Sequence, residues 1–198
     1  MAIYLISDTH FGHEKILRYC RRPFQSVFEM NECMFDNWAS CVRQNDTVYH
    51  LGDVAFGGME DVVRIVKRIR TLPGKKFLIP GNHDMRHPGL LSEAFTGVLP
   101  PIFQTTAQTA DGKAVRMVLC HYPMMTWNME FSGAIQLYGH VHGRIPGNTR
   151  QMDMGVDVWD FRPARLEQVL LRMAELPEFK SPEIREEDDQ EAGLSPGT

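Results

Sequence analysis

The chain has 198 residues and a formal net charge of −4, and 43% of its residues are hydrophobic. This length suits one globular domain, and no apolar run approaches the length of a transmembrane helix. The four cysteines include no Cys-x-x-Cys pair, and the N-terminus enters a strand pattern without a basic secretory leader. We therefore expect a cytoplasmic protein with free thiols and no membrane partner.

Acidic residues are concentrated at the carboxyl terminus. Residues 178–198 contain seven acids against Lys180 and Arg185, so their charge is −5 and the other 177 residues carry +1. We predict one folded domain over residues 1–177 and a flexible acidic tail over residues 178–198. A nearly neutral domain does not have the basic field expected of a protein that binds long nucleic acid.

The first predicted strand, Ile3–Ile6, is followed at once by polar side chains that can carry chemistry. A buried strand of this kind is typical of an α/β sheet, whose carboxyl edge usually holds the site. Asp8 and His10 come just after it and offer oxygen and nitrogen donors suited to zinc, iron, manganese or nickel. The alternative is that Asp8 only caps the following helix.

Two helices are predicted next, separated by a loop with adjacent arginines. A short helix covers residues 14–19, and a capping box formed by Ser26 and Glu29 begins a longer amphipathic helix. In the loop, Arg21 or Arg22 could clamp a substrate phosphate, because a guanidinium matches the geometry of that group. A solvated loop is the alternative interpretation.

The second and third predicted strands, residues 47–51 and 77–79, each end in a glycine-containing turn. Asp53 follows the second strand at the same sheet edge as Asp8. Its two oxygens allow one carboxylate to bridge two metal ions. His50 lies inside the second strand, and we interpret it as a hydrogen-bonded core histidine rather than as a ligand.

The loop after the third strand concentrates the most reactive groups of the chain. Asn82 could bind a metal ion through its amide oxygen, and the neighbouring His83 could act as a general acid. Asp84 is predicted to orient the imidazole of His83. An ordinary turn is the alternative, but the sequence Gly-Asn-His-Asp directly after a strand argues against it.

The second half of the chain predicts a change of architecture. A turn at residues 111–112 between strand patterns over 102–109 and 114–120 indicates a β-hairpin. The second of these strands delivers His121 at its end. The next short buried strand, Ile135–Tyr138, leads into a glycine-flanked His-x-His pair.

His140 and His142 form this pair. Imidazole is a frequent metal ligand because its ordinary pKa of about 6.5 leaves a lone pair free at neutral pH. On an extended strand the two rings would point to opposite faces, whereas on a turn both can reach neighbouring metal ions. The alternative is a surface pair without a role. A strand over residues 152–158 and a helix beginning at Pro163 or Ala164 complete the predicted elements.

Five motifs in this order resemble the calcineurin-like metallophosphoesterase family. The motifs are Asp8-x-His10, Gly52-Asp53, Gly81-Asn82-His83-Asp84, His121 and Gly139-His140-Val141-His142. Each follows an apolar run, and the match spans residues 3–160. The surrounding sequence is similar to the compact bacterial and phage branch that has no capping domain. The resemblance implies an α/β fold in which two mixed β-sheets pack together and are flanked by helices, an α/β/β/α sandwich.

The resemblance also implies a site for two divalent transition-metal ions, with manganese favoured and iron, nickel or zinc as alternatives. One ion would be held by Asp8, His10, Asp53 and His142. The other would be held by Asp53, Asn82, His121 and His140, so that Asp53 bridges the two. His83 would protonate the leaving group with Asp84 orienting it, and candidate substrate contacts are His13, Arg21 and Arg22.

We therefore expect a dinuclear metallophosphoesterase that hydrolyses a small or nucleotide-type phosphodiester by attack of a metal-bridging hydroxide. A nuclease or a phosphomonoesterase using the same site is the alternative. A non-catalytic binding scaffold is less consistent with the sequence, because every motif position is filled. Long nucleic acid is also disfavoured, because the domain is nearly neutral and carries no added DNA-binding domain.

Overall fold

Two mixed β-sheets that pack against each other organise residues 1–181, the part of the chain described by this computed structural model. In chain order the strands and helices are β1 (Ile3–Ile6), α1 (Ile16–Tyr19), α2 (Val27–Cys41), β2 (Thr47–His50), α3 (Met59–Thr71), β3 (Lys75–Leu78), α4 (Pro88–Ser92), β4 (Gly97–Val98), β5 (Ile102–Gln108), β6 (Ala114–Cys120), β7 (Ile135–Tyr138), β8 (Gln151–Asp153), β9 (Ala164–Arg165) and α5 (Leu166–Ala174). The predicted fold class is confirmed.

The first sheet has the strand order β4-β3-β2-β1-β9. Strands β1 to β4 are parallel, and β9 pairs antiparallel with β1. Along β1, Tyr4 and Ile6 pack into the core shared with α1 to α4, whereas Ile3 and Leu5 pack into the core shared with the second sheet. Because both faces of this sheet are covered, its inner strand β1 is a continuous apolar run, Ile-Tyr-Leu-Ile.

The second sheet has the strand order β5-β6-β7-β8. The predicted hairpin is present, with β5 antiparallel to β6, while β6, β7 and β8 run parallel. Met117 and Leu119 face the first sheet together with Leu166 and Val169 of α5. On the opposite face, Val118 packs with Trp127 of the loop that follows β6.

The last predicted strand is shorter than expected. The pattern over residues 152–158 predicted one strand, but β8 ends at Asp153 and a 3-10 turn covers Val156–Val158. The strand ends there because the Asp153 carboxylate turns back to accept the backbone N–H of Gly155, at 2.7 Å. This turn places a second acid, Asp157, beside the candidate site.

The carboxyl end of β1 also joins the two sheets. Ser7 forms an isolated parallel bridge with Gly155, the residue that follows β8 by two positions. The Ser7 backbone N–H donates to Met154 O at 2.8 Å, and Val156 N–H donates to Ser7 O at 3.0 Å. The loops that end β1 and β8 are therefore brought to one edge of the sandwich.

The start of the predicted tail still contacts the domain. The ring of Phe179 lies 4.9 Å from that of Trp127, and Ser181 Oγ donates to Glu130 Oε1 at 2.8 Å. The rest of the predicted tail, residues 182–198, lies outside the described residues. All four cysteines are free thiols, as expected. Within residues 1–181, none of the helices has the length and apolar character needed to cross a membrane.

Candidate metal centre

The predicted ligands converge at one edge of the sandwich because every one of them follows a strand. Parallel neighbours in a sheet end at the same edge, so the loops that leave them meet there. Asp8 and His10 follow β1, Asp53 follows β2, Asn82 follows β3, His121 follows β6, and His140 and His142 follow β7.

One group of donors consists of Asp8, His10 and His142, which offer ligand atoms within 4.8 Å of one another. Asp8 Oδ1 lies 3.9 Å from His10 Nε2 and 3.9 Å from His142 Nε2. The side chains of Asp8 and His10 are almost completely buried. Three nitrogen and oxygen donors that face one point without bonding to each other form a suitable cradle for a divalent transition-metal ion.

A second group consists of Asp53, His121 and His140, whose ligand atoms also lie within 4.8 Å of one another. Asp53 Oδ2 lies 3.5 Å from His121 Nε2, and Asn82 Oδ1 lies 3.2 Å from that nitrogen. His121 Nδ1 donates to Leu51 O at 2.7 Å, which leaves Nε2 directed at the group. Asp53 also faces the first group, since the same carboxylate oxygen is 3.6 Å from His10 Nε2.

Unpaired polar atoms test whether these residues fit metal ions. Within residues 1–181, the buried atoms that lack a hydrogen-bond partner include Asp8 Oδ1 and His10 Nε2. A buried polar atom without a partner costs about 1–3 kcal/mol, so folded proteins rarely leave one unmatched. Both atoms point into the first donor group, where a cation would satisfy them. The donors of the first group therefore fit a divalent metal ion.

Burial and neighbouring charges shift the pKa values of the candidate ligands in opposing directions. Burial raises the pKa of Asp8 to about 6, and burial lowers the pKa of His10 well below its ordinary range. Burial alone would raise the pKa of Asp53, but the hydrogen bond and charge of His121 outweigh it and lower that pKa. Burial alone would lower the pKa of His142, but its side-chain hydrogen bonds with Asp157 and Cys20 outweigh burial and raise that pKa to about 10.

The backbone is strained where it presents the ligands. Asp8, His10, Asp53, His140 and His142 all have positive φ angles, from 47° to 71°. Residues other than glycine rarely adopt this left-handed conformation, which costs about 1–3 kcal/mol at each position. Five of the seven predicted ligands carry this strain, and such outliers cluster at functional sites.

Two glycines permit the close approach of the loops. A Cβ on Gly139 would lie 1.9 Å from Ser7 Oγ, and one on Gly81 would lie 2.3 Å from Asp53 Oδ1. Neither position has room for a methyl group. The absence of a side chain lets Asp8 Oδ2 accept the backbone N–H of His140 at 2.8 Å.

The predicted role of Asp84 as the residue that orients His83 is wrong. The Asp84 carboxylate accepts three backbone N–H groups, from Asp53 and Gly81 at 2.8 Å and from Val54 at 2.9 Å. Both of its oxygens are therefore directed at the backbone, and Asp84 ties the loop after β3 to the loop after β2. His83 Nε2 instead lies 3.9 Å from Asp53 Oδ2, with about 30% of the side chain exposed.

The two adjacent arginines have opposite environments. Arg21 lines the open cavity in front of the donor groups, whereas the Arg22 side chain is completely buried and pairs with Asp157 at 2.8 Å. The predicted substrate contact by Arg22 is therefore corrected. His13 also lines the cavity, stacks on Phe56 at 4.1 Å and is 9% exposed. A substrate contact by Arg21 or His13 stays a prediction, and both residues line the cavity.

The cavity has a volume of about 1010 Å³. His10, Asp53, Asn82, His140 and His142 lie in its wall, together with His83. The rest of the wall is mainly basic and aromatic, with one acid, and includes Lys15, Arg21, Arg86, Arg144, Tyr19, Phe56 and Glu14. Phe56 is itself covered by His13 and by the Arg86 guanidinium, which lies 4.6 Å from the ring centre.

Sequence reasoning missed two buried acids that hold the His-x-His loop. Asp153 Oδ2 accepts the backbone N–H of Gly143 at 2.7 Å, and Asp157 Oδ2 lies 2.8 Å from His142 Nδ1. Both acids fall inside residues 152–158, whose pattern predicts a strand. Ionised carboxylates are costly to bury without partners, so two of them in one apolar run are a signal of a polar network.

Comparison with known protein families also indicates a phosphoesterase. A family model described as calcineurin-like phosphoesterase matches residues 1–115. That match includes the motifs that follow β1, β2 and β3 in the first sheet. His121, His140 and His142 come later in the chain and are brought to the same edge by the second sheet.

Several relatives span nearly the same length. An uncharacterized protein of Methanocaldococcus jannaschii is 30% identical over 175 residues, which cover 85% of this chain and 89% of that protein. The gene 66 protein of Mycobacterium phage L5 is 27% identical, over 79% of this chain and 86% of its own. A crystal structure of an Aquifex aeolicus protein of unknown function superposes with a TM-score of 0.67 at 26% identity, covering 85% of this chain and 97% of that one.

Proposed function

The chain belongs to the calcineurin-like phosphoesterase family, and from this premise we propose that it hydrolyses small, nucleotide-type phosphodiesters with two bound divalent metal ions. The family implies hydrolysis of phosphate esters. The observation that carries the finer proposal is the pair of three-residue donor groups, because Asp53 belongs to the second group and also faces His10 of the first at 3.6 Å. Asp8, His10 and His142 would hold one ion, Asn82, His121 and His140 the other, and Asp53 both.

The size and charge of the cavity support a small diester. A phosphodiester carries a substituent on each side of the phosphorus, and a cavity of about 1010 Å³ lies at the upper end of the range for small-molecule sites. Lys15, Arg21, Arg86 and Arg144 line it and suit an anionic substrate. Residues 1–177 carry a net charge of only +1, which does not favour the phosphate backbone of a long duplex.

The protein side chains would supply orientation and a proton. When bound, two divalent ions act as Lewis acids on the phosphoryl oxygens and lower the pKa of a water molecule. His83 lies in the cavity wall beside Asp53 and would donate a proton to the leaving oxygen. Arg21 and His13 would hold the phosphate or the group attached to it, and Asp84 would keep the His83 loop in place through the backbone.

A substrate and metal panel tests the proposal. Metal-free protein would be assayed with manganese, nickel, iron or zinc on an aryl phosphodiester, an aryl phosphomonoester, cyclic nucleotides, a dinucleotide and duplex DNA. We expect turnover of the small diesters that disappears with a chelator and returns with manganese. His140→Ala, which removes one donor from the second group, is the matched inactive control.

The pattern of hydrolysis separates the alternatives. Preference for the monoester would replace the proposal with a phosphatase, and preference for duplex DNA would replace it with a nuclease. Cation binding without turnover of any phosphate ester would favour a binding scaffold. A single saturated cation per chain, measured by elemental analysis, would contradict the two-metal assignment.

A further inference from the structure

We propose that Arg22 and Asp157 form a buried clamp that positions His142 and the Asp8–His10 backbone to receive the first metal ion. Both residues act through others, so they are positioning residues rather than ligands. The inference rests on the proposed metal-dependent function. It gives a role to the one predicted substrate arginine that the structure buries.

The clamp joins two distant parts of the chain by a bidentate ion pair. Arg22 Nε lies 2.8 Å from Asp157 Oδ1, and Arg22 Nη2 lies 2.9 Å from Asp157 Oδ2. The arginine side chain has no exposed surface, and the aspartate side chain is 10% exposed. The planar guanidinium fixes the direction of the carboxylate in a way that a single-point contact with lysine would not.

The same guanidinium holds the strained backbone that carries the first two ligands. Arg22 Nη2 donates to Asp8 O at 2.7 Å, and Arg22 Nη1 donates to Thr9 O at 3.0 Å. Asp8 and His10 both have positive φ angles. A left-handed backbone persists only where the surrounding structure determines it, and these two charge-assisted bonds lie between the strained residues.

The carboxylate of the clamp sets the orientation of His142. Its Oδ2 accepts the His142 Nδ1 proton at 2.8 Å, and it accepts Arg22 Nη2 as well. Since Nδ1 donates to Asp157, Nε2 is the nitrogen directed at Asp8, and it would bind a metal ion in exchange for its proton. A carboxylate behind a ligating histidine is a common way to fix the ring.

Asp157 also lies with Cys20 and His142 in a third group of possible ligands. Both carboxylate oxygens of Asp157 are already engaged, one by Arg22 alone and the other by Arg22 and His142. We therefore assign this group to positioning and not to a third metal site. One guanidinium thus connects the loop after β1, the loop after α1 and the His-x-His loop.

Calorimetric titration of manganese into metal-free protein tests the clamp. Asp157→Asn replaces one carboxylate oxygen with an NH2 group, which cannot accept from the guanidinium. Arg22→Lys keeps the positive charge but loses the bidentate geometry. For both variants we expect the affinity for one cation to fall about 10- to 100-fold, the usual effect of losing such a supporting contact, while the other cation binds as in wild type. Glu32→Gln removes an exposed ion pair to Arg68 of 2.9 Å and should change neither affinity.

A second readout separates positioning from general structural support. Cobalt bound at the site absorbs visible light according to its ligand geometry, so the clamp variants should change that spectrum while Glu32→Gln does not. Circular dichroism of the metal-free proteins establishes that each variant is folded. Where Asp157→Asn does not fold, Arg22→Lys decides alone.

Each outcome has a defined meaning. Wild-type affinity for both cations in a folded clamp variant would overturn the inference, and so would an equal loss at both cations. Failure of both variants to fold would show that the pair maintains the fold rather than the site. If the wild-type protein binds no cation, the proposed function fails together with the inference, whereas wild-type binding that is unchanged in the variants refutes the inference alone.

Discussion

Asp53 Oδ2 lies 3.6 Å from His10 Nε2, although these two residues follow different strands and belong to different donor groups. The same oxygen is 3.5 Å from His121 Nε2. Asp53 is almost completely buried, and its other oxygen accepts the backbone N–H of His83 at 2.9 Å. One carboxylate therefore connects both donor groups and the loop that carries the candidate acid.

Asp53→Asn should reduce the metal content more than replacement of any other ligand. The change removes the single negative charge that both donor groups face, so the affinities for both ions should fall together. Asn keeps a side-chain oxygen that can still accept the His83 N–H, which preserves the loop. Elemental analysis and calorimetric titration measure the effect against Asn82→Ala, which should weaken one ion only. Normal metal content in Asp53→Asn would show that the carboxylate is not shared.

Gly81→Ala should disrupt the site by steric overlap, without removing any candidate ligand. The new Cβ would lie 2.3 Å from Asp53 Oδ1 and 2.6 Å from Asp53 N, so the loops after β2 and β3 must separate. Overpacking of this kind costs about 1–3 kcal/mol. Gly89→Ala is the matched control, because within the described residues nothing lies within 4 Å of its added Cβ.

Chemical unfolding of both glycine variants measures this difference. Gly89 lies in α4, where alanine should be neutral or stabilising by up to about 1 kcal/mol. Gly81→Ala should unfold at lower denaturant concentration and should also bind metal more weakly. Equal stability of the two variants would mean that the loops can move apart without cost.

Strand ends and their first polar residues could be predicted from the sequence. Asp8, Asp53 and His121 each follow a short apolar run, and parallel strands bring such ends together whatever the details of the loops. The two donor groups of the structure contain six of the seven predicted ligands. The seventh, Asn82, lies next to His121.

The direction of individual side chains could not be predicted in the same way. Arg21 and Arg22 are adjacent and chemically identical, but Arg21 adopts a φ of 52° and faces the cavity while Arg22 turns inward. The partner of Arg22 is Asp157, 135 residues away, and no local pattern connects them. The sequence predicts that Asp84 orients its neighbour His83, whereas the Asp84 carboxylate oxygens accept the backbone N–H groups of three loop residues.

Asp46 should make the stability depend on pH in the acid range. Burial acts to raise the pKa of Asp46, but hydrogen bonds from the backbone N–H groups of Ala2 at 2.7 Å and Arg43 at 2.9 Å outweigh it and lower that pKa. A depressed folded-state pKa stabilises the protein at pH values above the unfolded-state pKa of about 3.9. The contribution is lost as pH falls through the folded-state value.

Asp46→Asn should therefore lower the free energy of unfolding by about 1–3 kcal/mol at pH 7, with the difference shrinking below about pH 4. Urea unfolding between pH 7 and pH 3 measures it. Asp36→Asn, at an exposed position of α2, should have little effect throughout. A pH-independent difference would show that the hydrogen bonds do not depend on the charge of Asp46.

His83→Ala should separate proton donation from metal binding. His83 lines the cavity, and its contact with Asp53 Oδ1 is made by the backbone N–H, which alanine retains. The metal content should therefore stay near that of the wild type. An alkyl or sugar alkoxide needs a proton as it leaves, whereas a nitrophenolate is stable without one. General acid catalysis is worth about 10²–10⁴-fold, so the loss should be steep on a dinucleotide and mild on a nitrophenyl diester.

The decisive measurement is kcat/KM for both ester types in wild type, His83→Ala and His87→Ala, with the metal content determined each time. His87 lies four residues further on, at the start of α4, and should behave like the wild type. An equal loss of rate on both esters in His83→Ala would assign the imidazole to stabilising the phosphoryl oxygens instead of protonating the leaving group. A loss of metal would make His83 a ligand, because the backbone contact to Asp53 survives the substitution and leaves the ring as the only group removed.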